Sequence, residues 1–266
     1  MNHSSSPRSR PTTIFFLGIA GIAALVGGIV VARGASTRAG SSGTLVLTCP
    51  PLAKVYCSMG TMPSLTGEAV ATSTVDPAPT VTYVDTLVNI SNCPTDRFEH
   101  VVMRRWSAFD SAGNSAECDQ QIDVIKDLFL LDIKPTSCPN PIQTGSNGGG
   151  ATVSMAVVGT LAQSVVDIVP GSIQLWREGC QRGPVTPISW GYEDVAGPHA
   201  PRQACDCGTA GPDGTIDLRL GFSRQQIVDL LGLKGLPNGT MVPLVVTGTL
   251  TNGCRFRASD CVRIQG

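Results

Sequence analysis

Few residues in this sequence can do chemistry. Histidine occurs only at His3, His100 and His199. None stands near a GxSxG elbow or an HExxH pair, and no P-loop or GxGxxG opens a helix. The two histidines beyond the N-terminal tail are therefore expected to face solvent. The densest set of oxygen ligands is Glu193-Asp194, then Asp206, Asp213-Gly214 and Asp217. Calcium takes about 6 to 8 oxygens, and carboxylates gathered at a glycine turn are a common way to supply them. Asp194, Asp206, Asp213 and Asp217 are thus candidate ligands of a structural calcium, with no other cofactor expected. Asp213-Gly214 also suits an ordinary hairpin turn, and the turn is the preferred reading. Two carboxylates about 5 to 10 Å apart could hydrolyse a glycoside. Glu193 and Asp194, however, are adjacent and would point to opposite faces of a strand, and three Trp in the chain give few sugar platforms.

The cysteines carry a clearer signal. All ten lie between Cys49 and Cys261: Cys49, Cys57, Cys93, Cys118, Cys138, Cys180, Cys205, Cys207, Cys254 and Cys261. There is no CxxC knuckle for zinc, and the CxC pair Cys205 and Cys207 reads as disulfide rather than metal. An even number of cysteines beyond an apolar membrane segment points to export and oxidation.

That segment is residues 14–31, IFFLGIAGIAALVGGIVV, 18 residues without a charge between Arg8, Arg10 and Arg33, Arg38. At about 1.5 Å per residue it would span roughly 27 Å, enough for an uncleaved anchor. A cleaved signal peptide is the alternative, with small residues near Ala32 or Ala39 for a signal peptidase. The organisation expected is a basic tail (1–13), a transmembrane or signal segment (14–32), a flexible linker (33–43), and two domains at 44–127 and 128–266. The formal net charge of −1 offers no field for a polyanion, so nucleic acid is excluded as a partner.

The elements that would position these residues are strands. With 15% charged residues, 30 Gly and 19 Pro, the composition suits short strands joined by many turns. Leu45/Leu47, Val81/Tyr83, Val102/Trp106 and Ile122/Val124 alternate with polar residues, and Trp106 is expected in the core. In the second half, strands are expected over 151–158, 172–176, 215–222, 241–250 and 260–264. One helix is expected where Ser223 and Gln226 form a capping box before Ile227, Leu230 and Leu231. The fold class is all-β, two β-sandwich (Ig-like) domains after the N-terminal helix.

The pieces LTCPPLAKVYC, PSLTGEAVATSTVDPAPTVTYVDT and RRWSAFDSAGNSAECDQQIDVI resemble the hyalin-repeat (HYR) and related immunoglobulin-like modules of bacterial and animal surface proteins. The resemblance implies a disulfide from Cys49 to Cys118, leaving Cys57 with Cys93. Val75 and Ala112 stand where related repeats carry two further cysteines. The pieces LDIKPTSCPNPI, SWGYEDV, CDCGTAGPDGTIDLRLGF and RASDCVRIQG resemble a module recurring at the C-terminal end of exported bacterial multidomain proteins. That resemblance implies a Cys138 to Cys261 staple and a counterpart of an aspartate-rich calcium-type run; Cys180, Cys205, Cys207 and Cys254 stay open. The function implied is non-catalytic. The chain would be anchored in the membrane through residues 14–31, or secreted, and would act in adhesion, spacing, or binding of cell-envelope polysaccharide or a surface protein. The rival is a secreted carbohydrate-active enzyme, or its binding accessory, using the loop at Asp213.

Overall fold

The computed structural model describes residues 43–88, 90–145, 150–180, 182–199 and 205–266, which all fall in one compact unit. The apolar segment 14–31 and the linker before Gly43 lie outside the described residues. Among the described residues, no helix is long and apolar enough to cross a membrane.

The structure is mostly β. The first half contains β1 (Leu45–Thr48), β2 (Ala53–Tyr56), the short helix α1 (Pro63–Thr66), β3 (Val70–Ser73), β4 (Thr80–Val88), β5 (Phe98–Phe109) and β6 (Ser115–Ile125). β1 pairs with β3, and a four-stranded sheet runs β2-β6-β5-β4. The alternation seen in the sequence places Val102, Arg104, Trp106 and Ala108 of β5 on the buried face. Leu45, Ala108 and Ala116 join the two sheets, while Val55, Val102, Ile122 and Val124 form a second small cluster. These clusters are modest, and the Cys49–Cys118 disulfide reinforces them.

The second half contains β7 (Asp127–Ile133), β8 (Asn140–Gln143), β9 (Thr152–Val158), β10 (Gln174–Arg177), β11 (Ser189–Glu193), β12 (Asp217–Ser223), helix α2 (Arg224–Leu230), β13 (Met241–Thr249) and β14 (Arg255–Gln265). They form one eight-stranded sheet ordered β10-β13-β14-β7-β9-β12-β11, with β8 also pairing with β14. One large apolar cluster draws on both ends of this sheet, with Leu175 from β10 and Leu218 and Leu220 from β12. The sheet therefore folds over its own inner face in the manner of a sandwich. Helix α2 closes the cluster with Ile227 and Val228, and the Ser223 hydroxyl caps it by accepting from Gln226 N at 3.4 Å.

The disulfides differ from two of the expected pairings. Cys57 joins Cys254 and Cys93 joins Cys180, each crossing from the first half to the second with Cα atoms 5.7 Å apart. The reason is register. Tyr56, beside Cys57, pairs with Ile125 at the end of β6, and Lys126 N donates to Arg97 O in the loop that holds Cys93. Both cysteines thus sit where β6 passes into β7, facing loops of the second half rather than each other. Cys138 joins Cys207, and Cys205 joins Cys261. The first-to-last staple is thereby replaced by two bonds to the segment carrying the CxC pair. No cysteine is free.

Candidate functional site

Residues 194–199 and 205–213 form a strap whose start lies over the outer face of the second sheet. Val195 and Ala196 pack on Leu130, Ala156 and Val158, and the two disulfides to Cys205 and Cys207 hold its far part. Three of the sequence-expected acids accept from backbone amides. Asp194 accepts from Asp213 N at 3.0 Å and from Gly214 N at 2.7 Å. Gly214 has a φ of 93°, a conformation that glycine takes without strain. Asp213 accepts from Thr215 N at 2.8 Å. Asp217 is fully buried and accepts from Gly159, Val195 and Ala196 N–H groups, each at 2.9 Å. A Cβ on Gly159 would lie 2.1 Å from Ile216 O, so only glycine brings that amide so close. Asp206 lies on the strap between its two disulfide cysteines. Among the described residues, no group of three or more His, Cys, Asp or Glu could hold a metal ion. Asp194 and Asp213 hold a corner, and Asp217 anchors the strap.

Glu193 pairs with Arg219 at 2.8 Å, both exposed. A cleft of about 610 Å³ opens beside it, lined by Lys134, Ser154, Glu193 and Asp194 among others. The Lys134 ammonium donates to Pro141 O, and burial lowers its pKa. Neither later histidine faces solvent fully. His100 is half-buried, and burial, with Arg255 adding to it, lowers its pKa. His199 is half-buried at the strap, its Nδ1 buried without a partner.

Sequence reasoning passed over β11, the edge strand of the second sheet. Trp190 is 55% exposed and Tyr192 is 41% exposed. They stand on the same strand face, with ring centroids 6.0 Å apart and planes at 73°. Ile188 precedes them with the same parity and is also exposed. In register they lie opposite Leu220 and Leu218, so the rings overhang the rim of the core. The available signal was the apolar alternation Ile188, Trp190, Tyr192 within PISWGYED.

A second cleft, of about 630 Å³, opens where the two halves meet. Tyr56 and Ser58 line one side, and Gln163, Asp167 and Asn252 the other. The Cys57–Cys254 disulfide ties the first of these walls to the second.

Comparison with protein-family models gives no match, and comparison with curated proteins gives none. Solved structures similar to the chain include a Drosophila N-cadherin fragment of extracellular domains 1–4. That match has 14% identity and a TM-score of 0.24, and covers 82% of this chain and 49% of that one. The Bacteroides ovatus mixed-linkage glucan utilization locus protein SGBP-B, in complex with a mixed-linkage heptasaccharide, gives 12% identity and a TM-score of 0.24. It covers 74% of this chain and 40% of that one. A protocadherin gamma B7 fragment of extracellular cadherin domains 1–4 gives 12% identity and a TM-score of 0.22, covering 84% and 50%. The chain spans about half, or less, of the length of each.

Proposed function

We propose that this chain is an exported, HYR-like surface protein that binds cell-envelope polysaccharide without transforming it, through the Trp190–Tyr192 ridge. Residues 14–31 would anchor it in the membrane. The observation that carries the reading is the exposed aromatic pair on an edge strand. Apolar rings are left about half in water on an edge strand, and sugar rings stack on such surfaces. Ten paired cysteines support an oxidising compartment outside the cytoplasm. The acids offered to the enzymatic rival have other partners: Glu193 holds Arg219, and Asp194 and Asp217 hold backbone amides.

A second reading rests on β4. This nine-residue strand is the outer edge of its sheet, with Val84 and Leu87 more than half exposed. An extended segment of a surface protein could add a strand there.

The test is capture of envelope polysaccharide fractions by the purified, oxidised full chain. Trp190→Ala and Tyr192→Ala are expected to lose capture at least tenfold while keeping the wild-type melting temperature, because rings this exposed contribute little to the core. Capture that survives both substitutions but fails in Tyr56→Ala would move the ligand to the junction cleft. Capture of protein alone, lost when Val84 becomes Lys, would favour the strand-addition reading.

A further inference from the structure

Thr95, in the loop that enters β5, is 2% exposed, yet it turns both its amide and its hydroxyl towards one disulfide. Its Oγ1 accepts from Gly179 N at 3.2 Å and lies 3.2 Å from Cys180 Sγ and 3.3 Å from Cys93 Sγ. A disulfide sulfur carries no hydrogen, so the threonine hydroxyl is the donor to this pair. Thr95 N also donates to Cys180 Sγ, at 3.4 Å. The two sulfurs are therefore served unequally. They share the hydroxyl, and Cys180 receives the amide as well.

A disulfide sulfur is a weak acceptor, and a buried N–H aimed at one is poorly satisfied. A thiolate is an anion, and hydrogen bonds to an anion are roughly twice as strong as neutral ones. The same donors thus favour the state in which Cys180 carries a negative charge. In thiol–disulfide exchange the sulfur whose thiolate is better stabilised leaves faster, and the incoming thiolate takes the other one. The backbone points the same way. Cys180 follows Gly179 (φ 88°) with a φ of 57°, a left-handed conformation that disfavours a residue with a Cβ. The other side is anchored, since Cys93 O accepts from Lys126 Nζ at 3.1 Å. Both cysteines are half-buried rather than enclosed.

We propose that Cys93–Cys180 is a thiol-exchange site, a junction bond opened by a dithiol reductant that attacks Cys93. A thiolate of the dithiol forms a new S–S bond to Cys93 Sγ. The Cys93–Cys180 bond breaks, and its electron pair leaves on Cys180 Sγ as a thiolate held by the Thr95 amide and hydroxyl. The second thiol of the reductant gives up its proton and attacks its own sulfur in the mixed disulfide; Cys93 leaves and takes that proton. Two electrons pass to the cysteine pair, and the dithiol ends as a disulfide. The Cys57–Cys254 bond still ties the halves, so the exchange frees the Gly179–Cys180 turn while the halves stay joined.

The test is brief exposure of the full oxidised chain to glutathione at pH 7, followed by acid quench, alkylation of free thiols and peptide mass spectrometry. A single thiol stops at the mixed disulfide and so records which sulfur was attacked. Glutathione is expected on Cys93 and the alkyl group on Cys180, in about fivefold excess or more over the reverse. Thr95→Val, which keeps the shape and loses the hydroxyl, should slow opening of this bond roughly three- to tenfold. Thr95→Ser, which keeps the hydroxyl, should open at close to the wild-type rate. The Cys57–Cys254 bond, read in the same digest, should open later than Cys93–Cys180 in the wild-type chain and at one rate in all three chains. Glutathione on Cys180, an even split, or Cys57–Cys254 opening first would overturn the proposal in the wild-type chain alone. An unchanged rate in Thr95→Val, or a change that Cys57–Cys254 shares, would overturn the part given to Thr95.

Discussion

Arg104 shows how a small module stays folded around a charge. It is almost wholly buried, yet every part of its guanidinium has a partner. Nε and Nη2 hold Asp85 at 2.7 and 2.8 Å, Nη2 reaches Thr61 O at 2.6 Å, and Nη1 reaches Thr66 Oγ1 at 3.0 Å. The Tyr83 ring covers it at 4.2 Å. A planar fork with five donors can satisfy this set and a lysine cannot. Arg104→Lys is expected to lower unfolding free energy by about 2 to 4 kcal/mol, and Arg104→Ala by more, in urea titrations at neutral pH. The effect should be far below that figure for Arg105→Ala, since Arg105 and its partner Asp119 are both exposed. This distinction was legible in the sequence. Once Trp106 is placed in the core, period two puts Arg104 inside and Arg105 outside. The setting of Asp217 was not legible, because it depends on Val195 and Ala196 returning over the sheet, which no local pattern encodes.

At the scale of elements, the link between β6 and β7 is held by a buried ammonium and flanked by two disulfides. Lys126 is the one residue between β6 and β7 and is fully buried. Its ammonium donates to Cys93 O at 3.1 Å and to Pro94 O and Asp96 O at 2.8 Å. Burial pushes its pKa down to about 8. Around it, Arg255 on β14 pairs with Glu99 on β5 at 2.6 Å, and the Ser58 hydroxyl donates to Asp127. Lys126→Met is expected to cost roughly 2 to 3 kcal/mol in chemical denaturation, because it removes three hydrogen bonds made by a buried ammonium to part-buried carbonyls. Replacing Cys57 and Cys254 together by Ser should cost roughly 2 to 5 kcal/mol in the same assay. The change of sheet near residue 127 and the capped helix α2 could be read from local turn and capping chemistry. The cross-junction disulfides could not, because spacing does not reveal which loops face one another. β14 starts at Arg255, five residues before the strand expected at 260–264, and Arg255 and Arg257 alternate there with the buried Phe256 and Ala258. The two arginines are supported by acids from elsewhere, Glu99 and Glu178.

For the whole molecule, these junction contacts make the two β halves one body. Two covalent bonds, an ion pair and a buried ammonium cross or line the place where a pair of surface modules would otherwise hinge. A binding ridge at the far sheet edge would then be held at a fixed angle and distance from the N-terminal half. The composition and cysteine pattern made the class of molecule readable, mostly β and disulfide-bonded. The locked junction emerges only when strands from the two halves are brought together. The most direct test is peptide mapping of the oxidised full chain under non-reducing conditions with free thiols blocked. The account predicts linked peptides joining Cys57 to Cys254 and Cys93 to Cys180; recovery of a Cys57–Cys93 peptide would contradict it and return the two halves to independent modules on a flexible link.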